Sequence, residues 1–242
     1  SKGFVETPAG ICLLTEALED LLPAIYKDKL VYISGPSHAQ EVARGKLTGL
    51  ISASRNGANA IRFRELLNGG PLVVFSSLDV RGVQICAALK NVVAIAFGML
   101  DALSELSAEV GDNTESLLLA AGLNEIQRLG LAMGATHPET FSSIAGVGDL
   151  EVTCRSKYGR NRRLGREIIL TRLLERFQGI EDLIAHLDGI GYFPEGVVAA
   201  KYAQRLALQY GISLPICQIV YRVLNREADP LQVVDLILKR LS

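Results

Sequence analysis

Several kinds of residue are scarce in this sequence of 242 residues, which contains no tryptophan, two methionines and four cysteines. The cysteines stand far apart, and none forms the Cys-x-x-Cys pair of a zinc site or a dithiol redox motif. We therefore expect reduced thiols in a cytoplasmic protein. An excess of charge is absent too, since 25 lysines and arginines face 26 acidic residues. The molecule as a whole has no net field that would attract nucleic acid or an anionic membrane, so any basic site must be local.

The first residues, Ser1 to Glu6, contain no initiating methionine and no apolar run of signal-peptide length. They are typical of the middle of a longer protein, or of a processed or truncated chain. One segment, residues 83–103, is long and apolar enough to raise the question of a membrane span, and its only charges are Lys90 and Asp101. A lysine near its centre would cost at least ~2.5 kcal/mol in lipid, so we predict a helix buried inside the protein.

The hydrophobic pattern changes class along the chain, and we place a domain boundary near residues 76–80. Before it, strand-like apolar runs alternate with helix-like pieces, which predicts part of an α/β layer structure. The runs are residues 30–33, 50–53 and 72–75, the helix-like pieces are 38–44 and 58–67, and the pair Thr7-Pro8 is expected to begin a first helix. After the boundary only helical patterns occur, at 83–103, 115–133, 160–177, 195–210, 215–225 and 230–241.

Lys90 is the first candidate for chemistry. On a helix it shares a face with Ala87, Ala94 and Gly98, and such small neighbours are expected to leave space for a ligand beside the ammonium. A lysine shielded from water loses its proton more readily, which is how lysines come to act as general bases. The alternative is a lysine that extends to the surface or pairs with a carboxylate, and the pattern alone does not decide between these readings.

A second candidate is the basic stretch at residues 155–166, which contains six basic residues and no acidic one. Its Gly159-Arg160-Asn161-Arg162-Arg163 core is typical of a helix start, where backbone N–H groups, the helix dipole and guanidinium groups can converge on a phosphate. The alternatives are a solvated basic face and a nucleic-acid site. Tyr158 is the only aromatic residue in the stretch, whereas stacking platforms generally use more than one.

Two further segments present polar groups. Gly146 to Leu150 is a turn-forming run whose carboxylate, Asp149, can bind a substrate hydroxyl, hold a catalytic lysine or simply cap a helix. Residues 33–40 run from a strand end into a helix, with Ser37 and Gln40 spaced as a capping box, at the kind of loop where α/β sheets bind ligands. The three histidines have no spacing that suggests a metal site.

Taken together, these residues resemble those of one family, the bacterial-type NAD(P)-dependent glycerol-3-phosphate dehydrogenases. The matching strings occur in family order: Ser1-Lys2-Gly3, Ile33-Ser34-Gly35-Pro36-Ser37, Ala88-Leu89-Lys90-Asn91-Val92, Gly111-Asp112-Asn113-Thr114, Ala145-Gly146-Val147-Gly148-Asp149-Leu150 with Thr153-Cys154, Gly159-Arg160-Asn161-Arg162-Arg163 and Pro194-Glu195-Gly196. No string is specific alone, but jointly they cover nearly the whole chain.

The resemblance implies two domains: residues 1–78 as the C-terminal part of a nucleotide-binding Rossmann-like domain, and residues 79–242 as an all-α substrate-binding domain. It implies NAD or NADP as cofactor, although no Gly-x-Gly-x-x-Gly turn occurs in this chain, which we therefore do not expect to bind the cofactor normally. It further implies a cytoplasmic enzyme of glycerol-3-phosphate metabolism and phospholipid biosynthesis, with a small phosphorylated substrate and no nucleic-acid or membrane partner. A homodimer is compatible with the sequence.

The resemblance also implies roles for individual residues. Lys90, Asp149 and Lys2 are the expected catalytic groups, with Lys90 as the proton acceptor. The expected substrate contacts are Lys2, Gly35, Ser37, Lys90, Asn91, Asp149, Arg160 and Asn161, of which Arg160 and Asn161 grip the phosphate. The expected cofactor contacts are Lys2, Ala39, Arg160, Phe193 and Glu195.

Four departures from the family pattern bear on substrate affinity and identity. Gly159 stands where the family usually has serine, Ala120-Ala121 replaces a Thr-Arg pair, the segment 100–110 is longer than usual, and Pro194 precedes the Glu-Gly pair. The expected reaction is interconversion of sn-glycerol 3-phosphate and dihydroxyacetone phosphate. The alternatives are a dehydrogenase of the 3-hydroxyacid or ketopantoate reductase type, and a non-catalytic phosphate- or nucleic-acid-binding module.

Overall fold

A computed structural model of the chain describes residues 2–233 and 235–237. The chain forms two compact units, each made of two stretches of sequence. The first unit comprises Ser1–Ala88 and Gly130–Val152, and the second comprises Leu89–Leu129 and Thr153–Ser242. These units follow packing rather than the class of secondary structure, so the domain boundary predicted at residues 78 and 79 stays a prediction.

The first unit opens with a β-hairpin rather than the helix expected at Thr7-Pro8. Strands β1 (Phe4–Thr7) and β2 (Gly10–Leu13) pair antiparallel, and the hydroxyl of Thr7 donates to the carbonyl of Gly10 at 3.1 Å across the turn. The helical repeat of leucines starts only after the hairpin, so helix α1 is Leu14–Leu21. A proline after threonine suits a turn as well as a helix start, and the cross-strand pairing decides in favour of the turn.

A three-stranded sheet follows, in the order β3-β4-β5. The elements of this region are β3 (Tyr32–Ser34), α2 (Ala39–Val42), β4 (Thr48–Ala53), α3 (Gly57–Leu67) and β5 (Leu72–Ser77). Strands β4 and β5 are parallel with α3 between them, whereas β3 runs antiparallel to β4. The three predicted strands and both helix-like pieces are therefore confirmed, although α2 is a single turn.

The core of the first unit lies between this sheet and the start of the following helix. Its buried members are Tyr32, Ile51, Ala53, Val80, Val83, Ala87 and Ala145. The carboxylate of Asp79, which is 1% exposed, accepts from the amides of Gly82 and Thr136 and from the hydroxyl of Thr140. Asp79 thus satisfies donors at a helix start and joins the two sequence stretches of this unit.

Beyond Ser77 the described residues contain helices and no strand, as predicted. The α-helices are α4 (Val80–Ser104), α5 (Asp112–Ala132), α6 (Glu139–Ser142), α7 (Asp149–Arg155), α8 (Arg160–Leu170), α9 (Ile180–Ala185), α10 (Glu195–Tyr210) and α11 (Pro215–Leu224). The helix predicted at 160–177 is wrong in its length. It ends at Leu170, and Arg172, with φ 52°, separates it from a 3-10 turn at Leu173–Arg176.

The last predicted helix, at 230–241, can be followed only in part. Its first residues form a 3-10 turn, Pro230–Gln232, and residues 234 and 238–242 lie outside the described residues. Among the described residues, α4 alone is long and apolar enough to cross a membrane, and its most apolar window is entirely buried within the protein. This burial fits the predicted core helix.

Candidate active site

Lys90 lies in the middle of α4 and belongs to the second unit. Its side chain is 3% exposed, so it does not extend to the surface. A lysine this deeply buried is rare in proteins, because an ammonium loses its hydration when it leaves water. This burial excludes the interpretation that the Lys90 side chain extends to the protein surface. It makes Lys90 a candidate functional group.

The small residues next to Lys90 do not all leave open space, as the sequence had suggested. A Cβ at Gly98 would collide with the backbone of Arg162, and a Cβ at Gly165 would collide with the backbone of Ile95. Gly98 and Gly165 therefore let α4 and α8 approach backbone to backbone. The prediction was wrong for Gly98 because its lack of a side chain serves helix packing rather than a ligand.

This close approach brings together the two asparagines that the sequence singled out. Asn91 follows Lys90 on α4, and Asn161 lies in the first turn of α8. The Nδ2 of Asn161 donates to the Oδ1 of Asn91 at 2.9 Å, and both side chains are buried. The Oδ1 of Asn161 accepts from the backbone amide of Gly196, also at 2.9 Å. A buried chain of amides thus joins three helices within the second unit.

Arg160 stands at the exposed edge of this chain of amides. Its guanidinium lies 3.5 Å from the carboxylate of Glu195, and its side chain is 52% exposed. Phe193, just before α10, is half-exposed. A Cβ at Gly159 would lie 3.0 Å from the carbonyl oxygen of Thr153, so a serine there would be tightly packed. An exposed arginine at a helix start fits an anionic ligand.

Four more arginines of the basic stretch are paired with acidic residues of the same unit. These pairs are Arg155 with Glu115, Arg162 with Asp101, Arg166 with Asp101 and Glu105, and Arg163 with Glu167. The partners Glu115, Asp101 and Glu105 are distant along the chain and are therefore not evident from the sequence, whereas Glu167 lies one helical turn after Arg163. Paired arginines are poor receptors for a nucleic-acid backbone, so the structure does not favour the binding-module alternative.

In the first unit, Lys2 and Asp149 come together as a pair. The Nζ of Lys2 lies 3.8 Å from the Oδ2 of Asp149, whose side chain is 1% exposed. Asp149 has helical backbone angles, φ −74° and ψ −30°, where a π-helical turn at Ile144–Gly148 passes into α7. A helix N-cap would have extended angles, so the capping interpretation of Asp149 is wrong. Ser143 caps this segment instead, accepting from the amide of Ala145 at 3.2 Å.

The loop after β3 carries Gly35, Ser37 and Ala39. Gly35 has φ +116°, and a Cβ there would lie 2.8 Å from the carbonyl oxygen of Gly49, so only glycine fits. The hydroxyl of Ser37 donates back to the carbonyl of Gly35 at 3.1 Å, and Ala39 begins α2. The predicted capping box is wrong, because His38 holds the N-cap position of α2 with no side-chain capping bond.

A second buried carboxylate, besides Asp79, escaped the sequence analysis. Glu125 of α5 is 2% exposed and accepts from the amides of Ile216 and Cys217, at 2.5 and 3.0 Å, in the first turn of α11. Burial raises the pKa of its carboxyl to about 7, against the lowering effect of these two bonds. The residue preceding α11 is Leu214, which has no capping side chain, so Glu125 caps this helix from a neighbouring one.

The described residues fit an organic ligand with phosphate groups better than a metal. Residues 2–233 and 235–237 contain no group of three or more His, Cys, Asp or Glu side chains that could hold a metal ion. Arg160 of the second unit is cationic and half-exposed, which suits a phosphate group of a dinucleotide. Because the glycine-rich turn is not among the 242 residues, the chain carries only part of such a cofactor site.

Comparison with known proteins gives a consistent family assignment. The family model described as NAD-dependent glycerol-3-phosphate dehydrogenase C-terminus matches residues 79–235, and the corresponding N-terminus model matches residues 1–60. The chain is similar to glycerol-3-phosphate dehydrogenase [NAD(P)+] of Treponema denticola, with 59% identity over 99% of this chain and 67% of that protein. The protein of the same name from Treponema pallidum is 60% identical over 94% of this chain and 64% of its own length.

A solved structure agrees with these relatives. The crystal structure of glycerol-3-phosphate dehydrogenase from Coxiella burnetii superposes with a TM-score of 0.73 at 35% identity, covering 87% of this chain and 60% of that one. The chain thus spans about two thirds of the length of the curated relatives it matches. This agreement confirms the predicted fold class, a Rossmann-like α/β part followed by helices, and does not favour the 3-hydroxyacid or ketopantoate alternative. On these grounds the chain belongs to the NAD-dependent glycerol-3-phosphate dehydrogenase family.

Proposed function

We propose that this chain is the substrate-handling part of an enzyme that interconverts sn-glycerol 3-phosphate and dihydroxyacetone phosphate with NAD or NADP. The observation that carries the proposal is the buried Lys90, followed on α4 by an asparagine that hydrogen-bonds Asn161 beside the exposed Arg160. A shielded base and an anion-binding helix start are what this reaction requires. The names of the relatives support the same substrate.

In the proposed mechanism Lys90 handles the proton. During oxidation its amine takes the proton from the secondary hydroxyl, and during reduction its ammonium returns a proton to the carbonyl oxygen. A bound nicotinamide ring supplies the hydride acceptor or donor. Asp149, held 3.8 Å from Lys2, orients the hydroxyl groups of the substrate, and Lys2 balances the carboxylate charge.

The remaining site residues bind and position. Arg160 and Asn161 hold the phosphate at the start of α8, where the helix dipole favours an anion. Gly35 and Ser37 contact the substrate through the loop after β3, and Asn91 contacts it from α4. The proposed cofactor contacts are Lys2, Ala39, Arg160, Phe193 and Glu195. None of these roles requires a metal ligand.

The wider assignments follow from family membership. We propose that residues 1–78 are the C-terminal part of the nucleotide-binding Rossmann-like domain and that residues 79–242 are the substrate-binding domain. The protein would act in the cytoplasm as a homodimer, supplying glycerol 3-phosphate for phospholipid biosynthesis, without a nucleic-acid or membrane partner. Support comes from the family match and from the complete burial of the most apolar window of α4.

The decisive experiment replaces Lys90 in the protein made from the complete reading frame that encodes this chain. Lys90→Ala should lower kcat by about 10²- to 10⁴-fold, because a positioned proton donor or acceptor contributes that much. Substrate binding, measured as the rise in melting temperature with glycerol 3-phosphate, should persist. Lys201→Ala is the matched control, since Lys201 only pairs with Glu181 at 2.7 Å. A kcat for Lys90→Ala within tenfold of the parent would rule out this role, and turnover of 3-hydroxy acids would point to another substrate.

A further inference from the structure

We propose that Gly196 is a positioning residue whose backbone N–H fixes which way the side-chain amides of Asn161 and Asn91 face, so that Asn161 presents an N–H group to an anionic ligand. The inference rests on the proposed function in that the anion is taken to be the phosphate of the substrate. Gly196 opens α10 next to Glu195, and it is buried. Gly196 itself contributes no group that reacts with the substrate.

The orientation of the two side-chain amides follows from the backbone N–H of Gly196, which can act only as a donor. A backbone N–H can only donate, whereas an asparagine amide can turn over and offer either oxygen or nitrogen. Because Gly196 donates to Asn161 at 2.9 Å, the atom it meets must be the oxygen of Asn161. The nitrogen of Asn161 then faces Asn91 and must meet the oxygen of Asn91, as it does at 2.9 Å.

Burial makes the reversed arrangement costly. Turning either amide over would place two donors or two acceptors against each other among side chains that are 4% and 5% exposed. An unmade hydrogen bond in such surroundings costs the full desolvation of the group. The side-chain oxygens of Asn161 and Asn91 therefore both accept hydrogen bonds from N–H groups of the protein. The hydrogen-bond donors of the two amides are their nitrogens.

The absence of a side chain at Gly196 is part of this arrangement. A Cβ there would lie 2.5 Å from the carbonyl oxygen of Asn91, 2.8 Å from the Cδ1 of Ile95 and 2.9 Å from the Oδ1 of Asn161. Real Cβ atoms do not approach so closely, so any larger residue must push the start of α10 away from both asparagines. Such a shift would remove the fixed donor that orients the amides.

The consequence concerns the kind of ligand. Phosphate oxygens accept hydrogen bonds and carry charge, so they suit a site that offers N–H groups next to the guanidinium of Arg160. With the amides reversed, the same site would offer carbonyl oxygens, which repel phosphate. The Gly196 amide would thus set a preference for phosphate without touching it.

The first test reads the amide polarity directly, without substrate, by NMR of protein labelled with ¹⁵N at asparagine. In the parent protein one Nδ2 proton of Asn161 should exchange slowly with solvent, because it is buried and bonded to Asn91. Asn161→Asp keeps an acceptor for Gly196 but turns its other oxygen toward the oxygen of Asn91, so the Asn91 amide should turn over and its ¹⁵N chemical shift should change. A rapidly exchanging Asn161 proton, or an unchanged Asn91 signal in the variant, would overturn the proposal.

The second test measures inorganic phosphate binding and steady-state kinetics. Gly196→Ala should weaken phosphate binding and raise KM for glycerol 3-phosphate by about tenfold or more, with a smaller effect on kcat, and should abolish the slow Asn161 proton. Gly189→Ala is the control, because a Cβ at Gly189 meets no atom within 4 Å. Unchanged phosphate affinity in Gly196→Ala would contradict the proposal. A parent protein that binds phosphate with a slow Asn161 proton, yet does not oxidise glycerol 3-phosphate, would refute the proposed function alone.

Discussion

The most unusual single residue outside the proposed site is Glu125, a carboxylate buried against the first turn of α11. It accepts two backbone N–H groups through different oxygens, and its pKa is nonetheless raised to about 7 by burial. Desolvation of the charged form therefore outweighs the favourable hydrogen bonds. At neutral pH the group stands near the midpoint of its own titration.

This raised pKa predicts a definite pH dependence of stability. Between about pH 4.5 and 7 the folded state binds more protons at Glu125 than the unfolded state does. The contribution of Glu125 to the free energy of unfolding should thus be greatest below about pH 4.5 and fall as pH rises through 7, by roughly 3 kcal/mol in total for a shift of this size.

Glu125→Gln offers the measurement. The free energy of unfolding in urea should be compared between the parent and Glu125→Gln from pH 5 to pH 8. The advantage of the parent over the variant should shrink from pH 5 to about 7 and then level off, because glutamine does not titrate. Cys217, the other titratable group at this contact, has a pKa raised well above 9 by burial and by Glu125, so it does not titrate in the window. A constant difference would show that Glu125 keeps an ordinary pKa.

At the scale of secondary-structure elements, the contact between α4 and α8 determines where Asn91 and Asn161 lie. Gly98 and Gly165 allow the two backbones to touch, and a Cβ at either position would collide with backbone atoms of the other helix. Backbone atoms cannot turn aside as a long side chain can. The contact therefore tolerates no larger residue at either glycine.

Alanine at Gly98 or Gly165 should accordingly destabilise the protein, although alanine favours helices. We expect a loss of about 1–3 kcal/mol or more in the free energy of unfolding from overpacking, against a gain of under about 1 kcal/mol from helix propensity. Gly111→Ala is the control, since a Cβ there meets no atom within 4 Å. Denaturant unfolding that shows Gly98→Ala to be as stable as the control would mean that the helices can move apart cheaply.

The same elements show how far sequence reasoning reaches. Strands β3, β4 and β5 and most helices follow from local hydrophobic periodicity, and α10 was predicted with its observed bounds. Errors occurred where a contact distant in sequence decides the outcome. Thr7-Pro8 resembles a helix start until β2 pairs with β1, and Gly98 resembles a gap until α8 fills it.

The candidate site also divides into features that local sequence indicates and features that depend on contacts between distant residues. The pattern singled out Lys90 and the stretch that contains Arg160, and the resemblance to a family supplied the roles expected of Lys90, Asn91 and Arg160. It could not supply the bond from Gly196 to Asn161, or the role of Glu125, because both depend on how helices pack. Local patterns identify candidates, and tertiary contacts decide what each candidate meets.

At the scale of the whole molecule, charge is balanced locally as well as in total. The net charge is −1. Three arginines of the basic stretch contact carboxylates from other parts of the second unit, and Arg163 contacts Glu167 one turn along the same helix. A high density of arginine along the sequence therefore does not become a basic surface of the same extent. Arg160 is paired more loosely, at 3.5 Å, and remains half-exposed.

We expect no appreciable binding of DNA or RNA as a result. Fluorescence anisotropy with a labelled oligonucleotide at low salt should give a Kd no tighter than about 10⁻⁴ M, the weak end of non-specific binding. Asp101→Asn, which removes the carboxylate partner of Arg162 and leaves Arg166 with Glu105 alone, should strengthen binding and make it more dependent on salt. Tight, salt-sensitive binding by the parent protein would instead revive the nucleic-acid alternative.

The hydrogen bonds of Asp79 have a consequence for the order in which the chain can fold. They connect the start of α4 with Thr136 and Thr140, and the first unit takes in residues up to Val152. During synthesis the sheet emerges from the ribosome first, but its unit cannot close until the second stretch has also appeared. Helix α5 and most of α4 must therefore leave the ribosome while the first unit is still incomplete, so folding of this protein would not proceed strictly from the N-terminus onward.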